Sequence, residues 1–284
     1  MEILDALLTP LSYGFIQRGL LAALMVGVLC SVIGCYVVLR SMAFLGDAMA
    51  HAVLPGVAVA YLLGRNLTLG ALAAALVIAF GVGLFSRRGM IKEDTAIGVL
   101  FAAALSLGVV LISSIRTYAV DLSHILFGNV LGVSSLDLWL TAIIGSVILM
   151  SILVFYRQFL VISFDPVLAA TLRMRVGAFN YLLLVLLALT IVISMQTVGV
   201  GLVAAMLVTP AATAYLLVRR LPSMMVLSGL IGGFSSLVGL FASYHLNVAS
   251  GAAIVLTTTL IFLVVFLFAP QRGLVWDLSR RYAA

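Results

Sequence analysis

The sequence predicts an all-α polytopic membrane protein: one transmembrane domain over residues 1–284, with eight to nine spans and a short cytoplasmic helix. Three observations carry that prediction. The chain is 65% hydrophobic and only 8% charged, whereas a soluble domain carries about 25% charged residues, and its mean hydropathy is +1.34. Apolar runs recur at the ~20 residues a helix needs to cross the hydrocarbon. The basic residues fall almost entirely in alternate loops.

In order, the apolar runs place spans near 15–39, 46–63, 67–86, 95–115, 136–156, 179–197, 199–218, 223–244 and 250–269. The count drops to eight if the interrupted run at Pro55 and the short one at Gly199 are not both crossings. The stretch 121–133 is apolar but too short to span, and reads as an interfacial or re-entrant segment. With the N-terminus outside, twelve of the fifteen Lys and Arg lie on inner loops, and Arg18, Arg65 and Arg116 remain outside. That bias makes the C-terminus cytoplasmic. Scattered between spans, the cations form no stripe for nucleic acid. The N-terminus carries Glu2 and Asp5 with no early cation, unlike a cleavable signal peptide, so the first span is expected to be retained. Cys30 and Cys35 lie about 140° apart on that span and read as small buried hydrophobes. Gly27, Gly34, Gly81, Gly83, Gly229, Gly232 and Gly233 suit close approach of helices.

Within this hydrocarbon the informative stretch is Met42-Ala-Phe-Leu-Gly46-Asp47-Ala-Met-Ala-His51-Ala-Val-Leu-Pro55-Gly56. Asp47 and His51 are four residues apart and share one helix face. A carboxylate at membrane depth costs at least about 2.5–3.5 kcal/mol, which marks it as functional by default. Such a pair can grip a divalent cation or share a proton. In the structural alternative Asp47 caps the second helix near the inner surface, with His51 paired to it and Arg40 in support. Gly46 fits either reading. Pro55-Gly56 should break or kink the helix one turn beyond His51, as a gate hinge or a packing kink. Thr209-Pro210 reads as a second kink, the Thr hydroxyl taking up freed backbone, and Glu93 and Asp94 as charges at the start of the fourth span. His124 and His245, on outer segments, read more simply as local structure than as metal contacts.

Several chemistries are absent from the sequence. Lys92 is the sole lysine and sits in no phosphate loop, so Gly-x-x-x-x-Gly-Lys-Ser/Thr is missing. HExxH and GxSxG are missing too, so the chain reads as a transporter and not an enzyme. Between the fifth and sixth spans, Asp165 can cap a helix, Pro166 suits its first position and Gly177 its end. That predicts an amphipathic helix of about 10 residues, either a linker on the headgroups or a docking element for a separate ATPase.

The Asp47 stretch resembles the signature of the permease subunits of ABC importers for manganese, iron and zinc. So do Leu126-Phe-Gly-Asn-Val-Leu131, Ser163-Phe-Asp165-Pro166 and Val200-Gly-Leu-Val-Ala-Ala-Met-Leu-Val-Thr-Pro210-Ala-Ala-Thr213. The similarity runs from about residue 12 to 275, and the closing Phe268-Ala-Pro-Gln-Arg-Gly-Leu274 is closer to the manganese/iron branch than to the zinc branch. The resemblance implies a paired, homodimeric membrane unit in a bacterial plasma membrane. It also implies ATP-binding subunits on the cytoplasmic side and an extracytoplasmic metal-binding protein. Asp47 and His51 would line the path, and Gly46, Pro55 and Gly56 would serve its gate. Residues 164–176 would be the coupling helix, with Phe164, Asp165, Pro166, Val167 and Leu168 meeting the ATPase. The cargo would be Mn²⁺, or Fe²⁺ or Zn²⁺, with no permanent cofactor. Two copies supply two Asp and two His, a mixed N/O set suited to these ions. The alternatives are a proton-coupled secondary carrier, for which no inverted repeat is evident, and a permease for metal chelates.

Overall fold

In hydrocarbon a free backbone N–H or C=O has no water to bond, so each apolar run closes its own hydrogen bonds as a helix. The computed structural model describes residues 12–86, 92–114 and 130–269. Its helices are α1 (Gly14–Leu39), α2 (Ala43–Ala52), α3 (Leu54–Leu62), α4 (Leu67–Ser86), α5 (Glu93–Ser113), α6 (Ser135–Val154), α7 (Tyr156–Phe164), α8 (Pro166–Thr171), α9 (Val176–Val198), α10 (Val200–Leu217), α11 (Leu221–Leu246) and α12 (Ser250–Phe268). Among the described residues nine spans are long and apolar enough to cross a membrane, α2 and α3 together forming one of them. A 3-10 turn at Val130–Gly132 precedes α6. Residues 121–129, with His124, lie outside the described residues, as does most of the 268–274 motif.

Buried α1 is the centre of the bundle, packing on α11, α10, α9 and α6. Its most extensive crossing is with α11 and depends on paired glycines. A Cβ on Gly27 would stand 2.9 Å from the Gly232 carbonyl oxygen, and one on Gly232 would stand 2.6 Å from that of Gly27. Serines one turn away complete the seam. Ser228 donates to the Ser31 carbonyl at 3.0 Å, and Ser236 to the Ala23 carbonyl at 3.0 Å. Such bonds are worth about 0.6 kcal/mol each in a bilayer, so close backbone packing dominates this seam. Gly229 and Gly233 face the side chains of Val28 and Leu24 at ordinary distances. Cys30 and Cys35 are free and fully buried.

Gly199 alone joins α9 to α10. The two helices together would run about 60 Å, twice the hydrocarbon thickness, so the chain must fold back at this residue. Its φ of 86° and ψ of 162° lie in a region essentially reserved for glycine.

Three local expectations change. The cytoplasmic helix does not run to residue 176: α8 ends at Thr171, Arg173 turns the chain with φ 55°, and Gly177 lies in the first turn of α9. An extra helix, α7, fills the connection and buries Phe159 and Ile162. Around Pro210, inside α10, it is the Thr213 hydroxyl that donates to the Thr209 carbonyl, at 2.7 Å.

Gly199→Ala should lower the stability of the detergent-solubilised protein by about 1–3 kcal/mol, read as a lower melting temperature. Gly201→Ala, two residues away in helical backbone with open space around its Cβ, should be neutral or stabilising by up to about 1 kcal/mol.

Candidate metal pathway

Helix α2 starts at Ala43 behind Met42, which supplies no side-chain cap. Asp47 is therefore in the second turn and caps nothing, which removes that part of the structural alternative. Its Oδ1 lies 3.6 Å from His51 Nε2. The two side chains are 48% and 30% exposed, on a span whose other faces are largely buried. Gly46 lets α2 lie on Leu207 of α10, where a Cβ would meet Leu207 Cδ2 at 3.4 Å. On the opposite flank Phe101 of α5 sits edge-on to Phe44, at 5.6 Å between ring centroids, and 6.3 Å from the His51 ring. The pair is thus held by α5 and α10 and faces out of the protomer.

Beyond His51 the helix breaks, as Pro55 predicts. Val53 ends α2 and precedes α3, with Pro55 in the first turn of α3. Val53 keeps right-handed φ and ψ of −77° and −16° at the break. Gly108 of α5 makes room for the break, since a Cβ there would lie 3.0 Å from Leu54 Cβ and 3.2 Å from Pro55 Cδ. Gly56 serves a different need: a Cβ would collide with the Gly70 carbonyl of α4 and stand 2.7 Å from Ala74 Cβ.

Among the described residues no group of three or more His, Cys, Asp or Glu could hold a metal. Asp47 and His51 of one protomer would by themselves fill two positions, where a divalent ion takes four or more. A half-exposed carboxylate facing lipid would be costly; facing water or a second copy, it is at home.

A separate cluster forms around α8. Asp165 Oδ1 accepts from the Val167 and Leu168 N–H groups at 2.9 Å each, and Pro166 occupies the first position of the helix. Phe164, Val167 and Leu168 are exposed, an apolar surface at the end of the spans. Of the five residues singled out in the sequence, Phe164 closes α7, Asp165 is the cap and Pro166, Val167 and Leu168 begin α8. Arg40, which the structural alternative placed in support of Asp47, bonds elsewhere: its Nε donates to Ser163 Oγ at 3.3 Å, and an Nη donates to Asn180 Oδ1 at 2.8 Å. Burial pulls its pKa down while Glu93 and Tyr36 push it up, and the guanidinium stays a cation at physiological pH. Glu93 and Asp94 do lie in the first turn of α5. His245, in the last turn of α11, packs edge-on to Tyr244 at 5.3 Å. The Arg40 cluster draws on four helices, α1, α5, α7 and α9, which hid it from the sequence, because its members are scattered from residue 36 to 180.

Nine candidate spans among the described residues, one of them bearing the Asp47–His51 pair, fit the architecture of a membrane transport subunit. The family model described as the ABC 3 transport family matches residues 12–269, and the chain belongs to that family. Its relatives include the manganese transport system membrane protein MntC of Halalkalibacterium halodurans, 49% identical over 263 residues, 93% of this chain and 90% of the relative. The manganese import system permease protein ScaB of Streptococcus gordonii is 45% identical over 260 residues, covering 92% and 93%. Among solved structures, PsaBC from Streptococcus pneumoniae in complex with Fab matches with a TM-score of 0.83 at 42% identity, over 95% of this chain and 97% of that one. The family expected from the four motifs is the family found, and the carrier reading is not favoured.

Asp165→Ala should remove both cap bonds and destabilise the start of α8 by about 1 kcal/mol, seen as faster hydrogen exchange at Val167 and Leu168. Asp165→Asn, which keeps an acceptor, should leave exchange close to that of the parent protein.

Proposed function

We propose that the chain is the permease subunit of an ATP-driven manganese importer, and that Mn²⁺ crosses between two copies of it. The observation that carries this reading is the Asp47–His51 pair, 3.6 Å apart on a face of α2 that the protomer leaves open. Paired about a two-fold axis, that face presents two carboxylates and two imidazoles. Two carboxylates neutralise one divalent cation, so the loaded site carries no net charge, which lowers the cost of holding an ion at membrane depth. The same donors accept Fe²⁺, and Zn²⁺ more tightly than Mn²⁺. Selectivity then belongs to site geometry and to an extracytoplasmic metal-binding protein that delivers the ion. The names of the manganese relatives support Mn²⁺ as cargo.

ATP is hydrolysed on separate ATP-binding subunits, which dock on α8 through the exposed Phe164, Val167 and Leu168. The chain lies in a bacterial plasma membrane with its N-terminus outside and its C-terminus cytoplasmic, as the basic loops require. Gly46 and the Pro55-Gly56 break give the site-bearing span its close packing on α10 and α4 and a point of yield between its two halves. A chelate permease is disfavoured by the ligand pair, because a cargo already fully coordinated has no use for it.

In vesicles carrying the permease, its ATPase and the delivery protein, radioactive manganese should enter only when ATP is supplied. Asp47→Ala and His51→Ala should each reduce uptake by at least about tenfold, the scale of losing metal-site groups, while insertion and ATPase binding persist. Normal uptake by Asp47→Ala would remove the residue from the pathway, and uptake without an ATPase would return the carrier mechanism.

A further inference from the structure

We propose that Arg40 is the positioning residue that links movement of α8 to the helix carrying Asp47 and His51. The inference rests on the reading of α8 as the ATPase-facing element and α2 as the metal-bearing one. Three residues, 40–42, separate the end of α1 from the start of α2. Arg40 spans the gap sideways: Nε bonds Ser163 in the last turn of α7, and an Nη bonds Asn180 in the second turn of α9. These are the two elements on which α8 packs. Ser163 stands two residues before Asp165, whose carboxylate caps α8.

A displacement of α8 therefore reaches Arg40 through one helix end on either side. From Arg40 it has seven residues to travel to Asp47, the last five of them in helix, which transmits motion as a rigid element. Arginine suits this role because its fork sends two donors to two different helices at once, which a lysine ammonium does less well. Glu93, which acts on Arg40 electrostatically, opens α5, the helix that braces Phe44 and His51 through Phe101.

The neighbouring backbone adds a second, independent observation. Ser41 has φ of 56°, a left-handed conformation uncommon for a residue with a side chain. Such a residue persists where its surroundings over-determine it, and it changes conformation when they let go. Arg40 is the adjacent anchor. With its bonds made, the joint between α1 and α2 is held; with them shifted, Ser41 can relax and α2 can re-angle, opening or closing the face that bears the ligands.

The test measures manganese uptake and ATP hydrolysis on the same liposomes, reconstituted with the permease, ATPase and delivery protein. Arg40→Gln should cut uptake by about tenfold, the scale of a lost charge-assisted hydrogen bond, while hydrolysis stays within about twofold. The ATP spent per metal ion therefore rises. Ser163→Ala and Asn180→Ala, each losing one bond and too mild to unfold the bundle, should raise the same ratio by a smaller factor. Arg40→Lys should recover part of the coupling. Uptake and hydrolysis falling in proportion in Arg40→Gln, Ser163→Ala and Asn180→Ala would make Arg40 a structural residue and overturn the inference. So would an unchanged ratio. Absence of ATP-dependent manganese uptake by the unsubstituted protein would remove the proposed function, and this inference with it.

Discussion

A carboxylate in a hydrocarbon slab must be given water, a cation or a partner, and the architecture around Asp47 answers that constraint. The span that carries it is among the most buried of the bundle, yet the face with Asp47 and His51 is partly exposed. Leu207 on one flank and Phe101 on the other fix the direction of that face without supplying a polar group to satisfy it. The unsatisfied coordination is what makes a second copy and a metal ion the natural complement in the proposed function. A protomer with a complete ligand set would hold its ion; one with half a set can release it when the copies move apart.

The remainder of the bundle keeps that face in place by close backbone contact. Hydrophobic burial gives no preference for helix over lipid, so the seams rely on small residues and on modest hydrogen bonds. Gly27 with Gly232 and Gly56 with Gly70 are both reciprocal crossings, in which each glycine makes room for the other's carbonyl. The second of these holds α3 against α4 directly beyond the break at Val53. The lower half of the same span, α2, rests on α5 and α10. One span thus has two separately supported halves joined where Pro55 withholds a hydrogen bond, a geometry suited to movement of one half relative to the other.

Polar contacts at the end of the spans are fewer and more directional. Asp165 holds the start of α8 with two bonds, and Arg40 ties the flanking helices to the α1–α2 joint. A helix cap of the first kind is worth about 1 kcal/mol and part-buried hydrogen bonds to a charged group such as Arg40 about 1.5–3 kcal/mol, more than the serine bonds within the bundle. Stiffness is therefore concentrated where an ATPase would push and where the ligand-bearing span begins.

Hydropathy and local chemistry determined much of this from the sequence. An apolar run of about 20 residues has one stable conformation in a bilayer, so the spans were legible to within a few residues. Pro55 dictated the helix break and Asp165-Pro166 the start of α8, because capping and a missing N–H act within a single turn. The i, i+4 spacing placed Asp47 beside His51 for the same reason. The end of α8 was misjudged, since Gly177 is a local signal while the turn is made by Arg173 under the demand of packing α9. Only the tertiary structure decided which face of α2 stays open and where Arg40 reaches. A side chain's exposure, and partners up to 140 residues away, follow from how helices cross, which depends on small residues and shapes that no periodicity along one helix encodes.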